Sequence, residues 1–274
     1  GKARELAQKV GFQVSAVVIG HQIGACAEAL RHYGVAEVYA YDDPELSYFR
    51  ADAFAACAAD AIRALSPSVV LVGATSLGRS LAPRLATRFH TGLTADCTSL
   101  DIKANTDLVQ IRPAFGGNIM AQIVTTHTRP QFATVRYKVM DAPERLAQPQ
   151  GAVINRRVPK EALASPVTHV RTVPVPAGKT ISDADVLVVG GRGLQKEADL
   201  ELVRELAGLL HGDWAVSRPL VEKGWAPNSR QIGLSGRTVR PRLLITLGVS
   251  GAIQFASCMC ASEHIVAVNT DPDA

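Results

Sequence analysis

Charged residues are scarce in this 274-residue chain, at 20%, and aromatics scarcer, at 5%. With 47% hydrophobic residues, the composition excludes a mainly disordered chain, which needs low hydrophobicity and high net charge. Long apolar runs are missing too. Stretches such as Val186-Leu187-Val188-Val189 fall far short of the roughly 20 residues that span a bilayer. No basic-then-apolar leader opens the sequence, so secretion is not expected. The five cysteines, Cys26, Cys57, Cys97, Cys258 and Cys260, are odd in number and lack CxxC spacing. They read as reduced thiols, and the expected compartment is cytoplasmic. Zinc spacings are absent among the seven histidines, so no metal site is expected.

The net charge of +4 is concentrated. Arg156, Arg157, Lys160, Arg171 and Lys179 face Glu161 alone between positions 151 and 180, and the rest of the chain balances to zero. A nucleic-acid binder spreads basic residues along a face with aromatic platforms, so nucleic acid is not the expected partner.

What is present is an alternation of strand and helix patterns, the mark of an α/β fold with parallel sheets. Val14 to Ile19, Val38 to Tyr41 and Ser68 to Val72 read as buried strands. Between them, Ile23, Cys26, Ala27 and Leu30 recur at helical spacing, as do Phe54, Cys57, Ala58, Ile62 and Leu65. Gly73-Ala74-Thr75-Ser76 then opens a helix. It reads either as an anion cradle or as an ordinary cap by Thr75 or Ser76, and the cap alone explains every residue there. From Asp96 to Tyr137 short β-rich stretches follow: Val109 to Arg112, Ala121 to Thr126 and Phe132 to Tyr137. The expected organisation is a first α/β domain at 1–150, a proline-containing crossover at 151–180 and a second α/β domain at 181–274. In the last, Val186 to Val189, Trp214 to Ser217, Leu243 to Leu247 and Ile265 to Val268 are strands. A helix there is expected to bury Leu202, Val203, Leu206, Leu209 and Leu210.

Four loops of the second domain follow strand ends: Gly190-Gly191-Arg192-Gly193, Ser217-Arg218, Gly248-Val249-Ser250-Gly251, and the segment from Asn269. Gln231-Ile232-Gly233-Leu234-Ser235-Gly236 lies among them. The carboxyl edge of an open parallel sheet is where ligands bind, and exposed amides with Arg192 and Arg218 suit phosphate. Each glycine taken alone reads as a tight turn; together the loops point to a phosphorylated cofactor. A nicotinamide fingerprint fails because Lys196 stands where a third glycine belongs. Gly248-Val249-Ser250-Gly251 resembles a nucleophile elbow at Ser250, but His264 comes before Asp271, the reverse of the order a hydrolase needs. Cys97 has no base near it in sequence and reads as a packed thiol.

Several stretches in order carry a family resemblance: Gly92-Leu93-Thr94-Ala95-Asp96-Cys97-Thr98, Arg112-Pro113-Ala114-Phe115-Gly116-Gly117-Asn118, Gly190-Gly191-Arg192-Gly193-Leu194, Ser217-Arg218, and Gly248-Val249-Ser250-Gly251-Ala252-Ile253-Gln254. Over its whole length the chain resembles the α-subunit of electron-transfer flavoproteins. The resemblance implies an adenine-nucleotide-hydrolase-like first domain that packs on a β-subunit, and a doubly wound second domain that binds FAD. It implies FAD contacts at Arg192, Ser217, Arg218, Gln231, Ile232, Gly233, Leu234, Ser235, Ser250, Gly251, Ala252, Ile253, Gln254, Phe255 and Asn269. Of these, Arg218 would lie over the flavin ring and the Ser235 hydroxyl would reach flavin N5. The expected role is an electron carrier in a heterodimer, serving an acyl-CoA, lactate or similar dehydrogenase, with electron bifurcation from NADH in some relatives. Phe255 stands where the family has histidine, and Leu234 where it has glutamine. The family's first strand and final segment lie outside this sequence. A nucleotide-sensing module without redox activity is the alternative from another class.

Overall fold

The computed structural model describes residues 1–114, 119–174 and 180–274. The stretch Phe115-Gly116-Gly117-Asn118 of the resemblance, and Lys179 of the basic cluster, lie outside the described residues. The chain divides into two compact units. One holds residues 1–113 and 120–172; the other holds the described residues from 173 to 274, with Ala114 and Ile119.

In the first unit the order is α1 (Lys2–Val10), β1 (Ser15–Gly20), α2 (Gly24–Leu30), β2 (Glu37–Asp42), α3 (Ala51–Leu65), β3 (Val69–Gly73) and α4 (Ser76–Arg88). There follow β4 (Leu93–Cys97), β5 (Ser99–Ile102), β6 (Leu108–Ala114), β7 (Ile119–Val124), β8 (Gln131–Val135) and β9 (Ala152–Asn155). Two three-stranded parallel sheets form, ordered β1-β2-β9 and β3-β8-β4. No backbone pairing joins β1 to β3, yet Ile19 and Val70 meet in one apolar cluster under α3 and α4. On the other face α2 covers Ala16 and Val18, while Leu6 of α1 packs near Val69 and Leu71. The stretch from Asp96 to Tyr137 does more than append strands: β8 enters the parallel sheet between β3 and β4, and β5-β6-β7 form a separate sheet, antiparallel between β5 and β6.

The second unit contains β10 (Val186–Gly190), α5 (Leu200–Leu209), β11 (Asp213–Ser217), α6 (Arg218–Glu222), β12 (Gln231–Ile232), β13 (Leu243–Leu247), α7 (Ile253–Ala256) and β14 (His264–Val268). The five strands are parallel, in the order β12-β11-β10-β13-β14. Successive residues of β10 serve opposite faces, as the period of two demands. Leu187 and Val189 join a cluster with Leu244, Val249 and Phe255, while Val188 packs with Val203, Ala207, Val216 and Leu220.

One expectation fails here. The inward residues of α5 are Leu200, Val203 and Ala207, whereas Leu202 is 61% and Leu209 73% exposed. The helix carries leucine on several sides, and the small Ala207 lets it sit close to β10. All five residues of β14 are exposed. No helix among the described residues is long and apolar enough to cross a membrane.

Candidate functional site at the carboxyl edge of the second unit

Strand order places the site. From β10 the chain moves outward through β11 to β12; it then returns to the other side of β10 for β13 and β14. The order reverses between β10 and β13, and at such a switch point an open parallel sheet binds ligands beyond the carboxyl ends of its strands. The loops there are residues 190–193 and 248–252.

The glycines of the two loops are explained by each other. A Cβ on Gly191 would collide with the Gly248 carbonyl oxygen and the Val249 Cα, and one on Gly193 would press on the Gly248 Cα. Gly191 donates its amide to Leu247 O and Gly193 to Gly248 O, both at 2.8 Å. Gly248 itself has a φ of 63°, the left-handed region that glycine enters without strain. The tight-turn reading thus holds for Gly248, while Gly191 and Gly193 are required by the close approach of the two backbones, and that contact builds the floor between the strands.

Above that floor, groups remain open. Ser250, Gly251, Ala252, Ile253 and Gln254 are exposed, and the amides of Ser250, Gly251 and Ala252 make no hydrogen bond among the described residues. Arg192 is exposed and has no ion-pair partner among the described residues. Ser217 is buried and ends β11; its hydroxyl makes no cap bond to α6. Arg218 begins α6 and bonds Glu222 Oε1 at 2.8 Å, both side chains being more than half exposed. Such an exposed pair contributes about 0–1 kcal/mol, so the guanidinium can exchange partners at little cost.

The segment 231–236 is brought to the same edge. Ile232 pairs with Ser217, and Leu234 donates its amide to Gln254 O at 3.0 Å. The loop closes on itself through Arg237 N to Gln231 O at 2.8 Å and Gly236 N to Gly233 O at 2.9 Å. Within it, Gln231 Nε2 donates to Ser235 Oγ at 2.8 Å; Gln231 is buried and Ser235 exposed. Asn269 follows β14 and donates its side-chain amide to Val249 O at 2.9 Å, clamping the 248–252 turn. Two expected contacts differ in kind from the rest. The side chains of Ile232 and Phe255 lie in the apolar core of the unit, so what they offer the edge is backbone.

The other chemistries find no geometry. His264 opens β14 at the amino edge, while Ser250 follows β13 at the carboxyl edge, a strand's length of about 16 Å away. Cys97 is fully buried, and burial pushes its thiol up to about 11. Among the described residues no group of three potential metal ligands converges.

These features define a class: an α/β protein whose second unit presents amides and arginines to a phosphate-bearing ligand at a switch point. Comparison with known proteins makes it specific. Residues 1–161 match the family model described as the electron transfer flavoprotein domain, and residues 180–260 match the electron transfer flavoprotein FAD-binding domain. The chain belongs to the electron transfer flavoprotein family. It is 52% identical over 274 residues to the lactate dehydrogenase (NAD(+),ferredoxin) subunit LctC of Acetobacterium woodii, matching along all of this chain and 66% of that one. It is 42% identical to the electron transfer flavoprotein subunit alpha of Clostridium acetobutylicum, covering 83% of it, and 42% identical to FixB of Rhizobium meliloti, covering 79%.

The residues present fit FAD. Unpaired amides and Arg192 suit a pyrophosphate, and Arg218 and Ser235 supply a cation and a hydroxyl at the same edge. Neither a nucleotide sensor without redox activity nor a nicotinamide dehydrogenase is favoured by this membership.

Proposed function

We propose that this chain is the FAD-holding subunit of a two-subunit electron carrier, paired with a β-subunit and exchanging electrons with a dehydrogenase, in the cytoplasm. The switch point, where the amides of 250–252 have no partner among the described residues, is the observation that carries the reading. When bound, FAD supplies the one- and two-electron chemistry. The protein's part is to hold and bias it. Amides of Ser250, Gly251 and Ala252, with the Arg192 guanidinium, bind the phosphates. Ser217, the 232–235 loop, Ile253, Gln254, the Phe255 backbone and Asn269 fix orientation and exclude water. Arg218 lies where positive charge favours a ligand that becomes more negative on reduction.

The relatives narrow the class of donor and acceptor. LctC is named for lactate, NAD(+) and ferredoxin, and at 52% identity a 2-hydroxy-acid dehydrogenase is the proposed exchange partner, with bifurcation among the activities to test. The complex copurified with its β-subunit is expected to be yellow and to carry FAD in this chain. A colourless complex that takes up no FAD on reconstitution would overturn the proposal.

A further inference from the structure

Ser235 is exposed at the carboxyl edge, but it is not unaccompanied. Gln231, buried at the end of the sheet with only 3% of its surface exposed, spends its side-chain amide on the Ser235 oxygen at 2.8 Å. A hydroxyl has one proton and two lone pairs. With a lone pair taken by the Gln231 N–H, the Ser235 proton is left to be donated elsewhere, and the residue is exposed. We propose that Gln231 is a positioning residue: it fixes the Ser235 hydroxyl as a hydrogen-bond donor toward the bound cofactor and acts on the flavin only through that hydroxyl. This rests on the FAD reading above.

The backbone supports this assignment. Gln231 cannot shift easily, because its carbonyl oxygen accepts from Arg237 N and a Cβ on Gly236 would strike that same oxygen. Ile232 beside it is locked in the core. The glutamine amide is therefore delivered from rigid structure to a serine on a short, closed loop. A bond that merely stapled the loop would be redundant with the backbone bonds that already close it.

A double-mutant cycle on the copurified heterodimer tests the idea, read by redox titration of the flavin and by FAD content. Q231M and S235A are each expected to shift the flavin's reduction equilibrium about fivefold, the worth of one net hydrogen bond. In the double variant the Q231M effect is expected to vanish, and S235T is expected to restore the wild-type titration. Additive shifts, or a Q231M titration identical to wild type beside a shifted S235A, would overturn the proposal. Should Q231M fail to fold, Q231E carries the test. Its carboxylate accepts instead of donating, so its shift should shrink in the S235A background, and an undiminished shift would overturn the proposal. A wild-type complex without flavin would sink the cofactor reading, and this proposal with it.

Discussion

The two units carry the same kind of edge and treat it in opposite ways. At the carboxyl edge of the first unit, polar groups are turned inward on one another. Thr75 Oγ1 accepts from Gly78 N at 3.1 Å and caps α4. The Asp42 carboxylate accepts from the amides of Gln22 and Ile23 at 2.8 and 3.0 Å. Asp96 binds Arg136 through both oxygens and also reaches Arg79. In the second unit the corresponding amides at 250–252 and the Arg192 guanidinium are left without protein partners among the described residues. Parallel strands and helix starts alone do not make a ligand site; an edge becomes one where its own side chains decline to close it.

Paired glycine substitutions should break this comparison most forcefully. A Cβ at Gly78 would strike the Gly73 carbonyl oxygen, and one at Gly191 the Gly248 carbonyl oxygen. Each alanine variant is expected to lose about 1–3 kcal/mol or more from backbone overlap in a packed layer. Denaturation should show both losses. Only Gly191→Ala should also strip flavin, which absorbance per protein would reveal; equal flavin content in the two would erase the distinction between the edges.

Next in size is the pH response of the closed edge. Burial works against the Asp96 carboxylate, but the hydrogen bond and charge of Arg136, with Arg79 and Arg112, outweigh it and hold its pKa below the ordinary carboxylate value. A depressed folded pKa gives stability that is present above the unfolded value, about 3.9, and is lost as pH falls through the lower folded one. Asp96→Asn should therefore destabilise the first unit by about 1–3 kcal/mol at neutral pH, with the gap to wild type narrowing below about pH 4. A constant gap from pH 7 to pH 3 would show that the ion pair is not its source. The smallest effect on stability belongs to Arg218→Ala. Losing the exposed Glu222 pair should cost less than about 1 kcal/mol, while the flavin's potential falls. Unchanged potential and FAD content would remove Arg218 from the site.

Much of this was legible in residues. The span of α3 follows from its apolar spacing, and the Thr75 cap from a hydroxyl placed before a helical period. The edge loops stood out because glycine and arginine recur after each apolar strand. Other features left less trace. In α1 Ala3, Leu6, Ala7 and Val10 do fall at helical spacing, but the segment is short and mostly polar and buries only Leu6. β4 is short and interrupted, its register shifting between Thr94 and Cys97, with Asp96 at a φ of 62°. The inward stripe of α5 was misread because leucines outnumber the positions that face the sheet. The Gln231–Ser235 bond joins a two-residue strand to a loop, a pairing visible only once the loop has closed.

The backbone junction of Gly191 with Gly248 also bears on how such a protein can change over generations. That seam leaves no room for a side chain, so any larger residue there overlaps backbone, while the neighbouring Arg192 and Ser250 are exposed and can be exchanged without such overlap. Selection can retune the grip on a bound molecule at those neighbours without disturbing the strands beneath, and the two tasks, staying folded and choosing an affinity, fall to adjacent but separable positions.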